Sequence, residues 1–314
     1  MGAAFPSMWQ PLAPKAQLER RAAILRVIRE FFLTRNVLEV DVPVLAEHSV
    51  TDPHLDAFSV SIQDETHFLQ TSPEYYMKRL LAAGYGDAYY LGKAFRRDEK
   101  GRYHRPEFTM LEWYRCGWDD RQLVDEVVAL CEALMPSLVV TRCTYGDLFE
   151  RHVGLNPHVS ATERLAECAR DTLGVEWQTE PRNTWLDLLF THLVEPALPQ
   201  GLVVVCDYPA SQAALARTVE ANGHSVARRF ECFLNGIELA NGYWELTDAA
   251  EQRRRFDEDN TLRRELKRPE REPDPYLLAA LDAGLPECAG VALGVDRLVM
   301  GVLGLTHIEG QLSF

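Results

Sequence analysis

Residue types that could do chemistry concentrate in three stretches of this chain. The first is Phe95–Arg115, FRRDEKGRYHRPEFTMLEWYR. In its second half Phe108, Met110, Glu112 and Tyr114 alternate with Thr109, Leu111 and Trp113, so one face of a strand carries a ring, a carboxylate and a phenol. An antiparallel partner over about 88–97 brings Arg96 to that face. Arginine, aromatic and carboxylate on one surface point to recognition of a phosphate, a flat base and an amine. The same pattern also fits an amphipathic hairpin with one wet face.

The second stretch is ARRFECFLNGIELANGYWELTD, 227–248. Asn235-Gly236 between apolar runs predicts a two-residue hairpin loop. It pairs Leu234 with Ile237 and Phe233 with Glu238, and sets Glu231 opposite Ala240. Glu231 and Glu238 then share a face as diagonal neighbours about 7–8 Å apart. Two carboxylates so placed repel unless neutralised, and an oxygen-only set favours magnesium completed by substrate phosphates. A solvated polar face is the competing explanation. Glu245 follows Asn241-Gly242, where a kink leaves its direction open. The third stretch, GVALGVDRLVMGVLG, reads as a strand entering a helix at about Val295. Arg297 in the first turn opposes the helix dipole and so points at an anion.

The elements that must position these groups follow from periodicity. Leu18, Ala22, Leu25, Ile28 and Phe32 mark an amphipathic helix; VLEVDVP is a strand stopped by Pro43. Phe58–Ile62 and His67–Gln70 form a hairpin around 63–65. TSPEYYMKRLLAAG starts a helix with Thr71 or Ser72 as cap and Pro73 in the first turn, and ends it at Gly84. Glu74 there either closes a capping box or favours the positive helix end. Asp119 or Asp120 caps a helix through Leu134. Residues 1–14 are an irregular arm, and 136–200 a helical insertion or side layer with helices near 145–152, from 160 and near 185–194. LVVVCDYP, 202–209, is a buried strand. A charged, exposed helix runs from Thr247 or Asp248 to about Lys267, and a short one from Tyr276 to Ala283.

The chain has 314 residues, 46% hydrophobic and 25% charged, enough for one large domain with an ample core. A net charge of -14 argues against backbone-driven nucleic-acid binding. The seven cysteines contain no C-x-x-C pair, which fits reduced thiols. No 18-residue apolar run and no signal-peptide h-region occur, so the cytoplasm is the expected compartment and no membrane is expected as partner. Neither G-x-G-x-x-G nor G-x-x-x-x-G-K-[ST] is present.

Taken together, helix 18–32 with VLEVDVP (Pro43), FRRDEKGRYHRPEFTMLEWYR and GVALGVDRLVM resemble motifs 1, 2 and 3 of class II aminoacyl-tRNA synthetases. TSPEYYMKRL, HRPEFTMLEWY and GIELANGYWELTD are most similar to lysyl-tRNA synthetase. With fewer than 20 residues ahead of the first motif's helix, the chain resembles the truncated paralogues of that enzyme, the elongation factor P lysine ligase family. The resemblance implies an α+β catalytic core, 1–314, with an antiparallel sheet flanked by helices and no N-terminal OB domain. It implies a homodimer through motif 1 and an ATP- and Mg2+-dependent ligation of lysine, preferably (R)-β-lysine, to elongation factor P, with tRNA not expected as partner.

Residue by residue, the resemblance gives Arg96 the α-phosphate, and His104 and Arg297 the outer phosphates. Phe108 stacks on adenine, Glu238, Leu239 and Gly294 line the ATP pocket, and Glu231 and Glu238 bind the metal. Arg97 and Asp98 replace the usual Asn-Glu, so the adenine contact is shorter or passes to Glu99; Arg105 replaces an asparagine in the ATP site. Glu74, with Ser72 and Pro73, takes one amino group. Glu112, Tyr114, Asn241, Tyr243 and Glu245 surround the lysine. Ala292 stands where lysyl-tRNA synthetases have glycine.

Overall fold

The computed structural model describes residues 9–97, 99–177, 180–221 and 223–314. Asp98, offered above as an adenine contact, and the first eight residues of the arm lie outside them.

The strands are β1 (Leu38–Glu39), β2 (Leu45–Ala46), β3 (Ser59–Ile62), β4 (Glu65–Leu69), β5 (Ala88–Phe95), β6 (Glu107–Cys116), β7 (Val140–Thr144), β8 (Leu202–Pro209), β9 (Thr218–Ala221), β10 (His224–Leu234), β11 (Ile237–Trp244) and β12 (Cys288–Gly294). The helices are α1 (Lys15–Leu33), α2 (Glu74–Ala82), α3 (Asp120–Leu134), α4 (Tyr145–Val153), α5 (Thr162–Leu173), α6 (Arg182–Leu189), α7 (Ala249–Glu265), α8 (Pro275–Gly284) and α9 (Val295–Leu303). Among the described residues the main sheet runs β1-β5-β6-β12-β11-β10-β8-β7, with β9 paired to β10; β2-β4-β3 form a small second sheet. Every pair in the main sheet is antiparallel except β1 with β5 and β7 with β8.

The local signals worked where they are strongest. Asn235 and Gly236 both adopt positive φ, as a two-residue hairpin loop of this hand requires. Gln63 and Asp64 do the same between β3 and β4. Asp119 caps α3 in a reciprocal box with Gln122, and Asp248 caps α7.

Four expectations change. Leu234 faces Ile237 and Phe233 faces Glu238, but Cys232 then faces Ala240, so Leu239 is an extra bulge residue and Glu231 faces Asn241, not Ala240. The VLEVDVP strand is short: Leu38–Glu39 pair in parallel with β5, and the Val40 amide adds one more bond to the Tyr89 carbonyl. The segment 136–200 is not wholly helical: Val140–Thr144 supplies the edge strand beside β8. α7 is not simply exposed, because Gln252, Phe256, Asn260 and Arg263 are buried. The described part of the arm is also tied down, with Leu12 and Ala13 amides donating to the Ser313 and Leu312 carbonyls.

The two faces of the sheet are covered differently. On one, Ile28 and Phe32 of α1, Val124 and Val127 of α3 and Leu298 of α9 join Leu111, Trp113, Cys232 and Leu293 in a continuous core. The opposite face is covered only at its ends. Leu148, Leu165, Trp185 and Leu186 from α4–α6 pack on Val203, Val205 and Phe233. Met77, Phe256 and Leu281, from α2, α7 and α8, pack on Ala88, Tyr90 and Tyr114. Between these two clusters, the described residues leave the middle of that face open.

Candidate active site

That uncovered middle is a cavity of about 900 Å³. Its floor is β12, narrow because its inward positions are Gly290 and Ala292. In register, Gly290 lies between Tyr114 and Tyr243, and Ala292 between Glu112 and Asn241. A Cβ at Gly290 would stand 2.5 Å from Glu245 Oε1 and inside the van der Waals radius of the Tyr114 ring, so only glycine fits there.

One end of the cavity is rich in carboxylates. Glu112 of β6 accepts from the Ser72 hydroxyl and the Tyr114 phenol, each at 2.7 Å. Burial, with the charge of Glu74 added, pushes the Glu112 carboxyl up to about 8; the Ser72 and Tyr114 hydrogen bonds resist. Ser72 Oγ also accepts from the Glu74 amide at 3.0 Å, which opens α2. The Glu74 side chain closes no capping box. It pairs with Lys78 one turn on, at 2.7 Å, and Lys78 pairs with Glu245 Oε2, also at 2.7 Å. Glu245, whose direction the sequence left open, therefore turns inward and is 1% exposed. Tyr243 and Asn241 line the neighbouring wall.

The other end is cationic. Arg297, in the first turn of α9, donates to the Glu238 carbonyl at 2.7 Å and lies 2.5 Å from His104 Nε2 and 3.4 Å from the Glu238 carboxylate. Burial, then the charges of Arg297 and Arg96, hold the His104 pKa below its ordinary value. Arg96 pairs with Glu99 at 3.1 Å, and its guanidinium carbon is 5.2 Å from the Phe108 ring centroid. Among the described residues its Nε is buried without a hydrogen-bond partner, a donor an incoming anion would satisfy. Arg105 lines the cavity but pairs with Glu309 at 2.9 Å, and Glu99 lines it as well. Leu239 and Gly294 complete this wall. At Gly294 a Cβ would meet nothing closer than 3.6 Å, so close packing does not demand glycine there.

Three candidates, Pro73, Arg97 and Glu231, stand back from the cavity wall. Pro73 precedes α2 at its N-cap. Arg97 is fixed by its amide to the Asp56 carbonyl at 2.9 Å. Glu231 lies on the same sheet face as Glu238, with Oε1 held by Arg229 at 2.5 Å and Oε2 by the Tyr208 phenol at 2.7 Å. Burial raises its pKa, Arg229 opposes this, and the charge of Glu238 raises it further. Among the described residues no three His, Cys, Asp or Glu side chains form a metal cluster. Glu231 and Glu238 are the carboxylates that could hold a divalent ion here, though both Glu231 oxygens are already bonded to Arg229 and Tyr208.

Several residues of the site have no simple sequence signal. Arg229 bridges Glu231, Asn241 and the Gln212 carbonyl, and only its alternation with Glu231 hints at it. Asn183 and Asp187 reach the cavity from α6, and Arg254, Arg255 and Asp259 from α7. Lys78 is spaced four residues from Glu74, the one local clue to its pairing.

Residues 11–314 match the family profile for tRNA synthetases class II (D, K and N). A Vibrio cholerae elongation factor P–(R)-β-lysine ligase is 48% identical over 318 residues, 98% of each chain. Proteins of the same description from Histophilus somni and Edwardsiella ictaluri are 47% and 46% identical, each over 98% of this chain and 97% of its own.

Proposed function

The chain belongs to the class II tRNA synthetases, and from that membership and the cavity's polarity we propose that it is an ATP-dependent ligase joining (R)-β-lysine to elongation factor P. One observation carries the assignment: a single cavity has Glu74, Glu112 and Glu245 at one end and Arg96, Arg297 and His104 at the other. An amino acid with two ammonium groups matches the first end, and a triphosphate the second.

In the first step the substrate carboxylate attacks the α-phosphorus of ATP. The new C–O–P bond forms as the bond to the β-phosphate oxygen breaks, and pyrophosphate leaves. Arg96 stabilises charge on the transferring phosphoryl group, Arg297 and His104 hold the outer phosphates, and Phe108 supports the base. Magnesium held by Glu231 and Glu238 would add charge neutralisation at the phosphates. In the second step a lysine amine of elongation factor P attacks the acyl carbon. An amide forms, AMP leaves, and the amine gives up a proton. Holding the ammonium groups at Glu112, Glu74 and Glu245 keeps the carboxylate aimed along the floor toward Arg96.

Homodimerisation through α1 and β1 belongs to the same reading. A cytoplasmic location is supported by seven free thiols. The test is amino-acid-dependent pyrophosphate exchange with each lysine isomer, followed by mass spectrometry of elongation factor P. The expected result is exchange and a mass gain of one lysyl group on the factor. Charging of tRNA with no modification of the factor would overturn the proposal.

A further inference from the structure

Lys78 is not part of the cavity wall, yet its ammonium touches two of the three carboxylates that are. Its side chain is 2% exposed, with Nζ 2.7 Å from Glu74 Oε1 and 2.7 Å from Glu245 Oε2. Burial works against its charge, and the Glu245 and Glu74 carboxylates more than offset that, so its pKa is held above the ordinary lysine value. Lys78 is therefore held as an ammonium, and a protonated amine cannot attack an activated acyl group.

Resting on the ligase reading, we propose that Lys78 is a positioning residue that sets how many substrate ammonium groups the cavity accepts. It occupies one oxygen of Glu74 and one of Glu245 from behind. All three carboxylates line the cavity, and Glu245 Oε1 lies directly over Gly290. Once substrate binding has displaced the Glu112 proton, three carboxylates less one ammonium leave two negative charges, the number a diamino acid neutralises. The nearby Arg217 pairs with Glu287 at 2.6 Å and donates to the backbone carbonyl of Glu245, and its charge favours the ionised form of that carboxyl. Tyr75, Tyr114, Tyr243 and Cys288 face the same cluster, and burial raises the pKa of each, so all four are neutral there.

The experiment is pyrophosphate exchange at saturating ATP with wild type, Lys78→Met and Lys78→Ala. Losing the cation from a buried pair should raise KM for (R)-β-lysine by about 30-fold or more while leaving KM for ATP unchanged. Propylammonium should restore part of the loss in Lys78→Ala, because it refills the vacated space with the same charge; a scaffold role would not respond. An unchanged KM for the amino acid in a folded variant overturns the proposal. Wild type that exchanges with no lysine isomer overturns the ligase reading instead. If neither variant folds, trace acylation of wild type decides: Lys15 and Lys93 should be modified and Lys78 protected. Modification of Lys78 at a rate like theirs overturns the proposal.

Discussion

Replacing Glu112 by glutamine probes the electrostatics of the amine end most directly. The carboxyl is held at about 8 by burial and by Glu74, against an ordinary value of 4.5. A substrate ammonium binds the ionised form, so binding near neutral pH must expel a proton. If only the ionised form binds, KM for the amino acid exceeds its limiting value by one plus ten to the power of pKa minus pH. That is about 100-fold at pH 6, about 10-fold at pH 7 and about twofold at pH 8. The assay is KM for (R)-β-lysine in pyrophosphate exchange between pH 6 and 8.5, with KM for ATP followed in parallel to separate the His104 end. Wild type should improve with rising pH; Glu112→Gln should bind weakly with no such slope. Calorimetry in two buffers of different ionisation enthalpy should show about one proton released at pH 7. A wild-type KM flat from pH 6 to 8 would refute the reasoning. Linkage gives the matching stability trend. A carboxyl whose folded pKa is raised stabilises the free protein below its unfolded value and loses that contribution as pH rises through about 8. The melting temperature of the free protein should therefore fall across that window, and substrate should restore it.

Three further outcomes follow from the geometry. Gly290→Ala places a methyl against Glu245 Oε1 and the Tyr114 ring, so it should cost about 1–3 kcal/mol in urea unfolding and raise KM for the amino acid alone. Wild-type values would show that the floor can move. Arg263→Met removes a fully buried guanidinium that donates to the Asp52 carbonyl at 2.6 Å, the Pro269 carbonyl at 2.7 Å and Asp56 at 3.1 Å. It should destabilise by about 3–5 kcal/mol, measured by urea titration. Ala292→Gly opens the floor between Glu112 and Asn241 and should shift the ratio of kcat/KM between lysine isomers, by no more than about 1–3 kcal/mol. A ratio unchanged by the substitution would remove Ala292 from the specificity wall.

The sequence by itself determined much of this protein. Asn235-Gly236 specified a hairpin because few residues other than asparagine and glycine tolerate successive positive φ. The alternation from Phe108 to Tyr114 put a ring, a carboxylate and a phenol on one face, because strand side chains repeat every two residues. Arg297 was legible from its place in the first turn of a helix. These are rules of a few adjacent residues, and motif resemblance tied them to one family. The tertiary structure decided what depends on distant partners. Counting could not anticipate the extra residue at Leu239, which moves Asn241 opposite Glu231. Nor could it say that α7, charged along its length, buries Arg263, since that rests on carbonyls some 210 residues away. Lys78 reads as a surface lysine on an amphipathic helix until Glu245, 167 positions later, meets it at 2.7 Å. Whether a charge is solvated or buried is a property of the packed molecule. The local pattern fixes only which way the side chain sets out.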